Sequence, residues 1–254
     1  MAPVQPIGEI SAFPRNWCLG ERTSGIAQRS QSLAAMGFDP LAGLQLEVAA
    51  SRGFWHESGV RNDRAATGVG MQVEETAIPA IKIVTPKKHG DKRGFFSEVY
   101  SLTGWDKAGL RFTFVQDNHS YSAAKGVLRG LHFQAPPFAQ DKLVRVARGR
   151  ILDVAVDIRR SSTTFGKYVA VELSAENWRQ LLIPIGFAHA FITLEPDVEV
   201  LYKTTAPYSA AHDRGVAWDD PAIGIAWPAP PGGPILSDKD RQWPLLKDAS
   251  DLFE

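Results

Sequence analysis

The sequence predicts an all-β domain over residues 71–254, a sandwich or barrel of short strands with few helices. Three observations carry that prediction. Apolar residues alternate with polar ones over short runs. Turns rich in glycine and proline separate these runs. Helical periodicity is scarce, and many short strands with few helices is the pattern of sandwiches and barrels. Period alone leaves a jelly roll and an immunoglobulin-like sandwich both open. The lack of a cysteine pair after residue 71 weighs slightly against the latter.

The elements follow in order. Met71–Pro86 reads as strand leading into turn, with Ile81–Val84 the clearest stretch. Leu102–Ala108 allows one helical turn, and Phe112–Gln116 reads as a strand ending in the polar run Gln116-Asp117-Asn118-His119. Val127–Gln134 is an apolar strand carrying one arginine and one histidine. Strict alternation puts Leu128, Gly130 and His132 on one face, and Arg129, Leu131 and Phe133 on the other. Leu143–Arg148 and Ile151–Ile158 alternate on either side of Arg148-Gly149-Arg150, which predicts a hairpin. Tyr168–Leu173, Arg179–Ile183, Phe191–Thr193 and Glu199–Thr204 are further strands, with a second helical turn expected at Ala175–Arg179.

Composition changes near residue 70. Residues 1–70 hold no lysine, and six arginines balance six acids there, while all eleven lysines follow. Residues between Leu33 and Val48 could form one weak amphipathic helix, interrupted by Gly37, Pro40 and Gly43. Met71 looks like a natural chain start. Residues 1–70 are therefore expected to be an upstream extension, either a start-site artefact or a poorly ordered arm, with 71–254 as the folded domain.

The 254 residues are 44% hydrophobic and 22% charged, ordinary for a soluble globular protein, and carry no net charge. That balance argues against a general nucleic-acid binder. A single cysteine, Cys18, excludes an internal disulfide framework. No apolar run is long enough to span a membrane, and the N-terminus has no secretory pattern, so a cytoplasmic location is expected.

Several residues bear chemistry in places that would otherwise be core or turn. His132 suits a general base, although a core histidine satisfied by a backbone carbonyl is the commoner case. A metal is not expected, since Gln134 stands two residues on and the chain holds no His-x-His. Asp240, in Ser237-Asp238-Lys239-Asp240, could orient a histidine or simply sit in a charged turn. Lys142 opens a strand and could stabilise an enolate, or lie on the surface. Tyr202 alternates inward with Val198 and Val200, as a packed tyrosine or a general acid. Arg93-Gly94-Phe95-Phe96 sets a cation beside aromatic rings, which suits a nucleotide or an exposed strand start. No Gly-x-Gly-x-x-Gly or Walker-type loop occurs, so a dinucleotide cofactor is not supported.

Taken in order, these motifs resemble the dTDP-4-dehydrorhamnose 3,5-epimerase family over nearly all of residues 71–254. The matching segments are Arg93–Phe96, Phe114–Ser120, Val127–Gln134, Lys142–Arg145, Asp153–Arg159, Gly186–His189, Leu201–Lys203, Ile225–Pro228 and Leu236–Asp240. The resemblance implies a cupin jelly-roll β-barrel, a homodimer, no metal or organic cofactor, and a dTDP-4-keto-6-deoxy sugar as substrate. It implies His132 as the base, Asp240 as its partner, Tyr202 as the proton donor and Lys142 as the enolate stabiliser. Arg129 and His189 would contact sugar and diphosphate. Arg93, Phe96 and Glu98 would receive the nucleotide, with Gln116, Asn118, Tyr208, Asp213 and Lys239 as further contacts.

Two positions depart from the family. Ala190 stands where glycine is usual, and Asp213 where glutamate is frequent. Residues 1–70 match nothing in the family. The rival readings are a mono-epimerase acting at carbon 3 or carbon 5 alone, a ketoisomerase on the same fold, a non-catalytic sugar-nucleotide binder and a metal-dependent dioxygenase. The paired Arg-Gly-Leu-His and Ser-Asp-Lys-Asp motifs match the epimerases better than the ketoisomerase, and the presence of both His132 and Tyr202 fits double epimerisation.

Overall fold

The structure is a computed structural model that describes residues 65–66 and 70–254. Apart from Ala65, Ala66 and Gly70, the expected extension and its weak helix lie outside the described residues. In chain order the strands begin with β1 (Ala65–Ala66), β2 (Met71–Glu75), β3 (Lys82–Pro86), β4 (His89–Asp91) and β5 (Gly94–Phe96). Helix α1 (Leu102–Lys107) follows, then β6 (Gln116–Ser122), β7 (Leu128–Gln134), β8 (Lys142–Arg148) and β9 (Arg150–Asp157). The last are β10 (Tyr168–Ser174), β11 (Gln180–Ile183), β12 (Phe187–Thr193), β13 (Val198–Thr204) and β14 (Asp213–Gly215).

The all-β expectation is met, and the strands fall into two antiparallel sheets and a small hairpin. One sheet has seven strands in the order β1-β2-β3-β11-β8-β13-β6. The other has five in the order β10-β9-β12-β7-β14, and β4 pairs only with β5. Between the sheets lies a core built from Ile83, Val144 and Val200 on one side and Ile151, Leu173 and Phe187 on the other. Each such side chain removed from water contributes roughly 1.5–3 kcal/mol. The outer face of the five-stranded sheet is covered by the C-terminal segment through Val216, Ile223 and Leu246. The outer face of the seven-stranded sheet is covered by α1 and the segment after it.

Helix α1 forms where expected. Ser101 caps it, its Oγ accepting from Gly104 N at 3.3 Å, and Trp105 buries itself against the sheet. Three expectations are corrected. Leu143–Arg148 and Ile151–Ile158 are strands but not a hairpin: β8 pairs with β11 and β13, and β9 with β10 and β12. The turn at Gly149 carries the chain from one sheet to the other. Val144 and Val146 of β8 meet Ile151 and Ala155 of β9 in the core between the sheets, so the two strands pack face to face in place of pairing edge to edge. Phe112–Gln116 is not a strand. Phe112 and Phe114 instead pack edge-on to Trp105 over the outer face, and the strand begins at Gln116. Ala175–Arg179 forms no helix, because Ser174 and Asn177 exchange hydrogen bonds with each other's backbone, 3.1 and 2.9 Å long.

Candidate active site

A pocket of about 250 Å³ opens at the edge of the space between the sheets. The five-stranded sheet contributes Arg129 and His132 from β7 and His189 from β12. The seven-stranded sheet contributes Ser120, Lys142 and Tyr202, and the C-terminal segment brings Lys239 and Asp240.

Strand β7 does not alternate as the sequence predicts, and the site depends on that. His132 pairs with His189, and Arg129 with Phe191. Three residues of β7 therefore advance against two of β12, which is a β-bulge. The extra residue resets the alternation, so Arg129 and His132 line one pocket in place of opposite faces. Leu131 and Phe133 both turn to the core beneath the C-terminal segment. Gly130 makes the bulge possible. It has φ +133°, and a Cβ there would lie 2.2 Å from the Ala190 Cβ. Ala190, the departure from the family, is fully buried in that same core. Its methyl packs against the bulge and does not line the pocket.

His132 Nε2 lies 2.5 Å from Asp240 Oδ1. A carboxylate only accepts, so Nε2 carries the proton and Nδ1 keeps the basic lone pair. Ser237 Oγ donates to Asp240 Oδ2 at 2.8 Å and accepts from Asp240 N at 3.2 Å. Burial by itself would raise the Asp240 carboxyl. The hydrogen bond and charge of His132, with Ser237, outweigh it and hold Asp240 below its ordinary value. Directly across the strand pair, His189 Nε2 lies 2.5 Å from Asp153 Oδ1. There burial dominates over the attraction of Asp153 and pushes His189 below the ordinary imidazole value.

Lys142 is buried, and its Nζ donates to the His132 carbonyl at 3.3 Å. Burial lowers it to about 8, against the opposing pull of Asp213 and Asp153. Burial raises the Tyr202 hydroxyl, partly offset by Arg129. The Arg129 guanidinium is braced by the Tyr121 carbonyl at 3.1 Å.

The remaining expected contacts divide into two groups. Gln116, Asn118, Tyr208, Asp213 and Lys239 form one polar rim. Gln116 Nε2 donates to Asn118 Oδ1 at 2.8 Å, and Gln116 Oε1 accepts from Tyr208 N at 2.9 Å. The Tyr208 hydroxyl donates to Asp213 Oδ2 at 3.1 Å, and Lys239 ion-pairs with the same oxygen. Arg93, Phe96 and Glu98 are not brought to the pocket. All three are exposed, on or beside the hairpin β4–β5, where Arg93 pairs with Asp91. That hairpin is held by Phe95, which packs edge-on to Trp178, with Lys88 over both rings.

Sequence reasoning left three site neighbours unassigned. Asp153 is a carboxylate inside the apolar run Ile151–Val156 of β9, a signal that was available. Ser237 and Asp240 have the Ser-x-x-Asp spacing of a capping turn, which announces their mutual bonds. Ser120 shares the inward face of β6 with Gln116 and Asn118, and only the strand's true start at Gln116 reveals that parity.

Comparison with known proteins gives this arrangement a family. The family model described as dTDP-4-dehydrorhamnose 3,5-epimerase matches residues 75–248. The dTDP-4-dehydrorhamnose 3,5-epimerase of Sinorhizobium fredii is 53% identical over 184 residues, covering 72% of this chain and 94% of that relative. A crystal structure of the Bacillus anthracis enzyme with TDP and PPi bound is 51% identical, with a TM-score of 0.67 over 69% of this chain and 99% of that one. The Legionella pneumophila enzyme in complex with dTDP-4-keto-L-rhamnose is 44% identical, with a TM-score of 0.67 over 70% of this chain and 94% of that one. A match spanning both sheets, the bulged strand and the C-terminal aspartate leaves one conclusion: this chain belongs to the dTDP-4-dehydrorhamnose 3,5-epimerase family.

Proposed function

We propose that the protein epimerises dTDP-4-dehydro-6-deoxy-D-glucose at carbons 3 and 5, giving dTDP-4-dehydro-L-rhamnose. The ketone at carbon 4 acidifies the C–H bonds on either side. His132 Nδ1 takes a proton, and the electron pair moves onto the carbonyl oxygen as an enolate. Lys142 in its charged form stabilises that oxygen, and Tyr202 delivers a proton to the opposite face. Asp240 holds the His132 tautomer and stabilises the imidazolium that forms. His132 then releases its proton to solvent and Tyr202 regains one from solvent, and a second cycle at the other carbon completes the isomerisation. Only protons move, so the reaction as proposed calls on no redox group and no metal.

One observation carries this reading. His132 belongs to the five-stranded sheet and Tyr202 to the seven-stranded sheet, and both line the same pocket. Inversion needs a base on one face of the sugar ring and an acid on the other. Arg129 and His189 would hold the sugar diphosphate, and the rim of Gln116, Asn118, Tyr208, Asp213 and Lys239 would hold the nucleotide end.

The reading includes a cupin jelly-roll homodimer acting in the cytoplasm, with residues 71–254 as the catalytic domain. A second copy gives Arg93, Phe96 and Glu98 a place to meet a nucleotide, since in one chain they stand away from the pocket. No helix among the described residues is long and apolar enough to cross a membrane. The test is turnover of the 4-keto sugar nucleotide by the wild type and His132→Ala. Loss of turnover in the variant supports catalysis at this site, and wild-type turnover in it would refute the assigned base.

A further inference from the structure

Trp243 touches three members of the site, and no role assigned above uses it. Its ring meets the His132 ring edge-on, with centroids 6.1 Å apart and planes at 71°. Lys239 Nζ lies 5.4 Å from the centre of the indole. The indole N–H is buried and makes no hydrogen bond of ordinary geometry. It is nevertheless close enough to Asp240 to help hold that carboxyl low, after burial, His132 and Ser237.

The backbone makes room for this ring. Gly215 pairs with His132 across β14 and β7. A Cβ on Gly215 would lie 2.5 Å from both Cδ2 and Cε2 of Trp243. The indole therefore lies flat on a strand position that only glycine leaves open, directly beside the base. A buried donor left without a partner is costly, and such a group needs an explanation. Hydrogen bonds of catalytic groups are often long in the empty enzyme and tighten when substrate binds.

We infer that Trp243 is a positioning residue: its indole, seated on Gly215, walls the His132–Asp240 pair and donates its Nε1–H to the Asp240 carboxylate during turnover. Asp240 has capacity for this third donor. His132 and Ser237 take one lone pair on each oxygen and leave the others. The donor supports the carboxylate charge while the neighbouring imidazole gains and loses a proton. The ring shields the Asp240 side of the pair from water. The inference rests on the reading of His132 and Asp240 as the catalytic pair.

The test compares Trp243→Phe and Trp243→Ala with the wild type in kcat, KM and the pH profile of kcat/KM. Trp243→Phe keeps an aromatic wall and removes only the donor. Its kcat is expected to fall about tenfold, the effect of losing one hydrogen bond to a charged group, with KM within about twofold. Without the donor the Asp240 carboxyl moves up, so the acidic limb of the profile moves to higher pH. The other titratable and charged groups facing this pocket are Arg129, His132, Lys142, His189, Tyr202 and Lys239, with Asp213 on Lys239. Trp243→Phe keeps a ring beside His132 and Lys239 and touches none of the others. Trp243→Ala is expected to lose more kcat than Trp243→Phe. If it does not fold, Trp243→Phe decides alone. Wild-type kcat with an unmoved limb in Trp243→Phe overturns the inference, and so does a raised KM with unchanged kcat. His132→Ala measured alongside keeps the two readings separate. Turnover surviving in that variant removes the catalytic pair itself, whatever Trp243 does.

Discussion

Two histidine–aspartate pairs face each other across β7 and β12, with the same contact of 2.5 Å, yet their surroundings differ. In the His132–Asp240 pair the histidine side chain is 29% exposed, and both oxygens of its aspartate are engaged. In the His189–Asp153 pair the corresponding value is 9%, and Asp153 Oδ2 is buried without a partner. The first pair has a wet side through which a proton can pass, and a satisfied carboxylate to steady the imidazolium. The second is almost closed to solvent, and burial outweighs its aspartate, so His189 stays neutral with its Nε2–H donated to Asp153. On the mechanism proposed above, the same contact serves a base in one place and a held substrate contact in the other, and the two differ in solvent access.

The largest expected effect separates the pairs by turnover. His132→Ala should lower kcat by about a thousandfold, within the range for loss of a general base. Nucleotide-sugar binding, measured by calorimetry, should change far less. Tyr202→Phe should lower product formation about a hundredfold, while exchange of substrate protons with solvent continues. An equal loss of exchange and product would take the acid role away from Tyr202. Next come the two aspartates. Asp240→Asn should act on kcat, whereas Asp153→Asn should raise KM and lower the denaturant midpoint by an amount worth roughly 1–3 kcal/mol. The reverse assignment of kcat and stability would collapse the comparison.

Lys142 supplies a pH test. In the proposed mechanism its charged form stabilises the enolate, and burial lowers its pKa to about 8. Activity that needs the charge is present below that pH and is lost as pH rises through it. A pH profile of kcat/KM should therefore fall on the alkaline side near pH 8, and a flat profile there would remove Lys142 from the oxyanion role. The smallest effect is expected for Ala190→Gly. Its methyl lies in the core against the bulge, so KM should stay within about twofold and stability should fall by no more than about 1 kcal/mol. A large change in KM would mean that the methyl reaches the pocket.

The strand content was legible because buried strands alternate, and the chemistry was legible because His132, Lys142, Tyr202 and Asp240 interrupt apolar or turn patterns. What pairs with what was not. Gly149 looks like a hairpin turn, and nothing local says that the strands beside it join different sheets. The bulge at Gly130 was hidden for a similar reason. One extra residue reverses the facing of all that follows, and only the partner strand reveals it. Trp243 was silent because its role comes from Gly215, a residue far from it in the chain and meaningful only when the two meet.

The most direct test of the account follows the full-length protein with the 4-keto sugar nucleotide in deuterated water, reading label at carbons 3 and 5 by mass and NMR. The account predicts one solvent deuteron at each carbon and a rhamno-configured product. Label at one carbon alone would make the protein a mono-epimerase, and no label at either would contradict catalysis at this site.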